Sequence, residues 1–97
     1  QTINNYGQTD DLTLTLAAAA EGLHFNVILG TTVAKYFRLD PDAGDKIYLD
    51  GTADADGHYV GIASAVAGAA ISCKAFQTGA AAYDWYCSVL SGSWGME

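Results

Sequence analysis

Residues 68–94 read GAAISCKAFQTGAAAYDWYCSVLSGSW, and this stretch decides the fold. Two apolar runs, residues 70–76 and 82–90, flank a turn containing Gly79, as two strands joined by a hairpin would. Folding that hairpin about Ala80 sets Ile71 opposite Val89, Cys73 opposite Cys87 and Ala75 opposite Trp85. All six side chains then share one face, which is what a buried sheet face needs. A one-residue slip would turn Trp85 and Val89 outward and leave no core, so a single register is expected. Gly92-Ser93-Trp94 closes the hairpin as a strand exit.

Working outward, residues 12–16 (LTLTL) alternate strictly, with Leu12, Leu14 and Leu16 on one face. Residues 17–20 are four alanines before Glu21-Gly22, too short a run to hold as a helix unaided. Residues 23–29 (LHFNVIL) alternate again, directing Leu23, Phe25, Val27 and Leu29 inward, and residues 33–39 form a third strand. Residues 40–45 (DPDAGD) are a turn, with Pro41 fixing φ and Gly44 permitting a positive one. A short strand at 46–49, a second acidic loop at 50–57 and a strand at 58–64 follow. Seven or eight short strands at regular spacing, without a convincing helix, predict an all-β antiparallel sandwich or β-roll. The expected core is Leu14, Phe25, Val27, Phe37, Ile47, Ile62, Ile71 and Trp85.

Ninety-seven residues make one domain, residues 1–97. Hydrophobic residues are 51% of the chain and charged ones 15%, against about 25% charged in ordinary soluble domains. Disorder is therefore excluded as a reading, and some surface is expected to be buried against another copy or a neighbouring domain. The small residues Ala63, Ala65, Ala67 and Ala69 would let backbones or subunits approach closely. The uncharged run at 59–73 would be an aggregation hazard if left exposed. Net charge is −7, and the four basic residues, Lys35, Arg38, Lys46 and Lys74, are scattered. Nucleic acid and anionic membrane surfaces both require clustered cations, so neither is an expected partner. The chain opens at Gln1 without an initiator Met, and QTINNYG reads as mid-protein strand sequence. One domain of a longer polypeptide is expected, ahead of a chain shorn of a leader or pro-segment.

The sequence offers no catalytic constellation, so no catalytic, cofactor-binding or metal-binding residues are assigned. Asp40, Asp42 and Asp45 superficially resemble a calcium loop, echoed by Asp54 and Asp56, yet the closing bidentate Glu is missing. They read as solvated acidic turns. His24, on an outward face beside Asn26, and His58 stand alone, and no spacing supports zinc. No nucleophile elbow, phosphate loop or buried carboxylate pair is present in the pattern. Cys73 and Cys87, placed opposite each other, fit either a cross-strand disulfide or two buried free thiols. Tyr36, Tyr48, Tyr83, Tyr86 and Trp94 fit core and inter-sheet packing, or a sugar-stacking platform.

In pattern and order, residues 12–94 resemble a small β-domain recurrent in virion proteins of tailed bacteriophages and prophages, of the tail-fibre and head-decoration kinds. The resemblance is carried by LTLTLAAAAEGLHFNVIL at 12–29, LDPDAGDKIYLDG at 39–51, and GAAISCKAF, the Trp85 strand and SGSW at 68–94. Two departures are Ala17, where a Pro commonly follows the strand, and the cysteines, where plain apolar residues are usual. The resemblance implies a non-enzymatic capsid-decoration or tail-fibre attachment module. It would be a homo-oligomer, three-fold for preference, in contact with other virion proteins and with a host-surface glycan as a further partner. It implies assembly in the host cytoplasm and residence in the virion. Reduced thiols are expected on the same ground, because that compartment is reducing. The rival reading is a secreted carbohydrate-binding module, which would require three or more aromatics exposed in a coplanar row on one sheet face. No cofactor is implied by either.

Overall fold

A computed structural model describes residues 2–53 and 58–96 of the chain. Ten strands fill the described residues: β1 (Thr2–Ile3), β2 (Leu12–Thr15), β3 (His24–Ile28), β4 (Phe37–Asp40), β5 (Ile47–Leu49), β6 (Thr52–Ala53), β7 (Val60–Ile62), β8 (Ala70–Gly79), β9 (Ala82–Ser91) and β10 (Gly95–Met96). No described residue is helical. The strands form a six-stranded sheet, β1-β3-β8-β9-β5-β6, and a four-stranded sheet, β10-β7-β4-β2. The all-β sandwich follows from the alternation that the sequence carries.

The β8–β9 hairpin has the expected register, with Ile71 opposite Val89, Cys73 opposite Cys87 and Ala75 opposite Trp85. Its turn differs in detail. Ala81, with φ of 55°, is the residue with left-handed backbone geometry, while Gly79 pairs with Ala82 after an irregularity at Gln77. Cys73 and Cys87 are joined as a disulfide, which corrects the expectation of reduced thiols. Their Cα atoms are 4.1 Å apart, the closer of the two alternating spacings in an antiparallel ladder, which brings facing side chains together. Both residues are fully buried.

The expectation of a wholly antiparallel sandwich is corrected at three pairings: β1 with β3, β2 with β4, and β5 with β9 are parallel. The chain alternates between the sheets from β1 to β5. Each return to the same sheet therefore involves two crossings, which restores the strand direction. Antiparallel pairing appears where strands fold back directly, as in β8–β9 and β5–β6. Asn5 ties two of the crossings together. Its buried side-chain oxygen accepts the backbone N–H groups of Gly30 at 2.8 Å and Thr31 at 3.0 Å, and its amide donates to Thr31 O at 3.1 Å.

The core between the sheets holds Phe25, Val27, Phe37, Ile47, Ile62, Ile71 and Trp85, with Leu14 half-buried against it. Phe25 meets Trp85 edge-on at 5.3 Å, and Phe37 meets Trp94 at 6.2 Å, geometries that suit the charge distribution of aromatic rings. Leu12 and Leu23 are exposed, each at 39%. Leu12 begins an edge strand and Leu23 precedes β3, so their alternation runs past the margin of the opposite sheet. The strand expected at 33–39 is continuous only from Phe37. Lys35 N–H donates to Val33 O at 2.8 Å, a three-residue turn that breaks the extended run and leaves Val33 in an isolated bridge with Ala65. Residues 50–53, expected as loop, are instead a hairpin. Asp50 and Gly51 both have positive φ, and Leu49 pairs with Thr52, the arrangement of a two-residue turn whose twist matches its strands.

Candidate functional site

The acidic residues sort by their partners. Asp45 Oδ2 accepts Ala19 N–H at 2.8 Å, Asp84 Oδ1 accepts Lys46 N–H at 3.0 Å, and Asp50 Oδ1 accepts Val89 N–H at 3.1 Å. Asp84 and Asp50 satisfy backbone donors at the two ends of the β5–β9 ladder, and Asp45 satisfies one in the loop between β2 and β3, so Asp45 does more than solvate a turn. Asp42 is exposed. Asp54 and Asp56, the second acidic pair, lie outside the described residues. Among the described residues no group of three or more His, Cys, Asp or Glu could hold a metal ion. His24 is exposed on β3 opposite Lys74, and His58 is exposed as well. No helix of the described residues is long and apolar enough to cross a membrane.

The five aromatics singled out in the sequence do not form one platform. Trp94 is buried, its indole N–H donating to Ser91 O at 2.9 Å. Tyr83 donates its hydroxyl to Glu21 at 3.2 Å. Burial first, then the hydrogen bond and negative charge of Glu21, raise the Tyr83 hydroxyl above its ordinary pKa. Tyr36 stacks on Arg38 at the four-stranded sheet. Tyr48 and Tyr86 remain together on the outer face of the six-stranded sheet and are joined there by Phe76, which sequence reading did not single out. The register could have found it: Phe76 lies next to Ala75, opposite Trp85, and therefore faces outward. The rings stand nearly perpendicular, with interplanar angles of 80° and 86°, so this cluster is not the coplanar row that a sugar-stacking sheet face requires.

The small-residue segment builds a different surface. Residues 62–64, 66–69 and 91–93 line a concavity of about 570 Å³ at one end of the sandwich, and none of them is charged. Ala65 and Ala69 are buried, whereas Ala63 and Ala67 are exposed. Close approach is real at Ala69: a Cβ on Gly92 would stand 2.8 Å from the Ala69 Cβ. Large apolar side chains border the same end. Val66 is 50% exposed, Ile28 46% and Leu90 62%; Ile28 shares a row with Ala70 and Ser91, and Leu90 adjoins Ser91. Only part of the uncharged run at 59–73 is therefore buried within the sandwich. Comparison with known proteins returned no matching family model, no similar curated protein and no similar solved structure.

Proposed function

We propose that this chain is a non-enzymatic virion structural domain of a tailed-phage particle, a capsid-decoration or tail-fibre module that works by self-assembly. The observation that carries the reading is the uncharged end of the sandwich. A chain of net charge −7 keeps one concave surface free of charge and borders it with exposed Val66, Ile28 and Leu90. Contiguous apolar surface of this kind marks an interaction site, and small residues let facing backbones approach. A second copy is the favoured occupant, in a homotrimer. Other virion proteins would join it there or at the sheet edges. The pattern shared with phage β-domains over residues 12–94 supports the same reading.

Native mass spectrometry and light scattering test it. The expected result is a homo-oligomer at micromolar concentration, three-fold for preference, that dissociates when Val66→Asp and Leu90→Asp are combined. A monomer at that concentration, or an oligomer unaffected by the paired substitution, would overturn the assignment of this surface.

A further inference from the structure

Tyr6 is 88% exposed, yet the backbone that carries it is firmly held. Gln8 N–H donates to Asn5 O at 2.9 Å, closing a four-residue turn with Tyr6 at its tip and Gly7 at a positive φ of 83°. Buried Asn5 pins that turn to residues 30–31, and its amide also donates to Gln8 Oε1 at 2.9 Å. Gly7 N–H donates to Thr31 Oγ1 at 3.2 Å. Burying an amide is costly unless its groups are paired; here the paired amide fixes a tip whose ring stands in solvent. Next along the chain, Thr32 Oγ1 accepts Ala67 N–H at 2.9 Å, and Ala67 lines the uncharged concavity of about 570 Å³. A projecting ring and a hollow therefore flank each other at one end of the sandwich.

We propose that Tyr6 of one copy docks in the concavity of the next copy, as the anchor of the self-assembly contact. This rests on the assembly reading and adds to it the residue that fills the hollow. Ala67, Gly68 and Gly92 leave room for a ring, and the polar side chains of the lining are Ser64, Ser91 and Ser93. A tyrosine brings a ring and one hydroxyl that needs such a partner. Neither surface is charged: residues 1–9 and the lining residues carry no charged side chain. A chain of net charge −7 thus meets itself here without like-charge repulsion. A tyrosine buries about 150–250 Å², whereas a stable contact takes about 800 Å² per partner. Exposed Val66, Ile28 and Leu90 supply apolar surface around the anchor. The pinned turn has little backbone freedom to lose on docking. Ring and hollow are different surfaces, so the contact is heterologous. Both lie at one end, so its repetition turns about an axis there and closes, as a trimer does.

The test compares subunit dissociation constants, by sedimentation equilibrium, for the parent, Tyr6→Phe, Tyr6→Ala, Ala67→Trp and the combined Tyr6→Ala with Ala67→Trp. Both positions are exposed within one chain, so every variant should keep the far-UV spectrum of the parent. Tyr6→Ala should weaken each contact by about 30-fold or more, the mark of an interface anchor. Tyr6→Phe keeps the ring and should weaken it by about tenfold or less, the loss of one hydrogen bond. Ala67→Trp fills the hollow and should also dissociate the oligomer. Adding Tyr6→Ala to it should change little more, because residues that meet across a contact are not additive. A parent that is monomeric at micromolar concentration overturns the assembly reading and this docking with it. An oligomeric parent whose Tyr6→Ala variant assembles equally well overturns the docking alone. So does a phenylalanine variant as impaired as the alanine one, or effects at positions 6 and 67 that add in full.

Discussion

Asp84 on β9 accepts the backbone N–H of Lys46 at 3.0 Å, at the point where the parallel β5–β9 ladder begins. Beside it, Trp85 N–H donates to Lys46 O at 3.0 Å. At the ladder's other end Asp50 N–H donates to Cys87 O at 2.9 Å, while Asp50 Oδ1 accepts Val89 N–H at 3.1 Å. Two carboxylates thus bracket a three-residue parallel pairing that would otherwise leave donors unmet at both ends. Replacing Asp84, which is half-buried, by Ala should cost about 1–2 kcal/mol, the range for a charge-assisted hydrogen bond partly open to water. Asp84→Asn keeps an oxygen acceptor and should cost less than half as much. Urea unfolding of both variants checks this; equal losses would mean that the contact is not what the aspartate supplies.

The cysteine bridge predicts its own signature. Cys73 and Cys87 are 14 residues apart in sequence, and closing a loop of that size should stabilise the fold by about 3 kcal/mol through restriction of the unfolded chain. Intact mass should be about 2 Da below the sum for free thiols and recover on reduction under denaturant. Reduction, or Cys73→Ala with Cys87→Ala, should lower the melting temperature by more than about 10 °C, taking several degrees per kcal/mol for a domain of this length. Native protein that labels fully with a thiol reagent would contradict the bridge.

What the sequence made legible follows from the range of the signals. The hairpin register was readable because Ile71, Cys73, Ala75, Trp85, Cys87 and Val89 must share one face, and local alternation admits only one solution. Seven of the eight expected core residues are buried and Leu14 is half-buried, for the same reason. The parallel pairings were not readable, because alternation says which way a side chain points and nothing about which sheet the next strand joins. Asp50-Gly51 was a hairpin signal in plain sight, obscured by the acidic residues after it. For the oxidation state of the cysteines, the direct opposition of Cys73 and Cys87 is a stronger physical clue than the compartment that the resemblance implies. That Arg38, Gly61 and Gly95 stand in one row across β4, β7 and β10 was not readable either, because pairing between strands distant in sequence leaves no local signal.

Tyr83 gives a pH dependence with a definite sign. Its hydroxyl is raised above the ordinary value of 10.0 by burial first and then by Glu21, so the folded state favours the neutral phenol more than the unfolded state does. That contribution is fully present below about pH 10 and is lost as the pH climbs through the raised folded value. A spectrophotometric phenolate titration should show one late tyrosine that disappears in Tyr83→Phe. Glu21→Gln, which removes the charge, should move that tyrosine back toward ordinary behaviour. Loss of stability from this pair on acidification, instead of at high pH, would refute the assignment.

Ala81 is the one described alanine with positive φ, at 55°, and it sits in the turn that sets the register of β8 and β9. Left-handed geometry costs an alanine about 1–2 kcal/mol because its Cβ crowds the carbonyl, a penalty absent in glycine. Glycine gives back roughly 0.4–1 kcal/mol of that gain through the greater freedom of its unfolded chain. Ala81→Gly should therefore raise stability by about 0.5–1 kcal/mol, an unusual direction for an alanine-to-glycine change in a sheet protein. Gly79→Ala should be close to neutral, since Gly79 lacks positive φ and a Cβ there would approach only the Ala82 Cβ, at 3.6 Å. Denaturant midpoints for the two variants decide the matter. If Ala81→Gly destabilises while Gly79→Ala does the greater harm, the left-handed position belongs to Gly79 and the turn is two residues out of place.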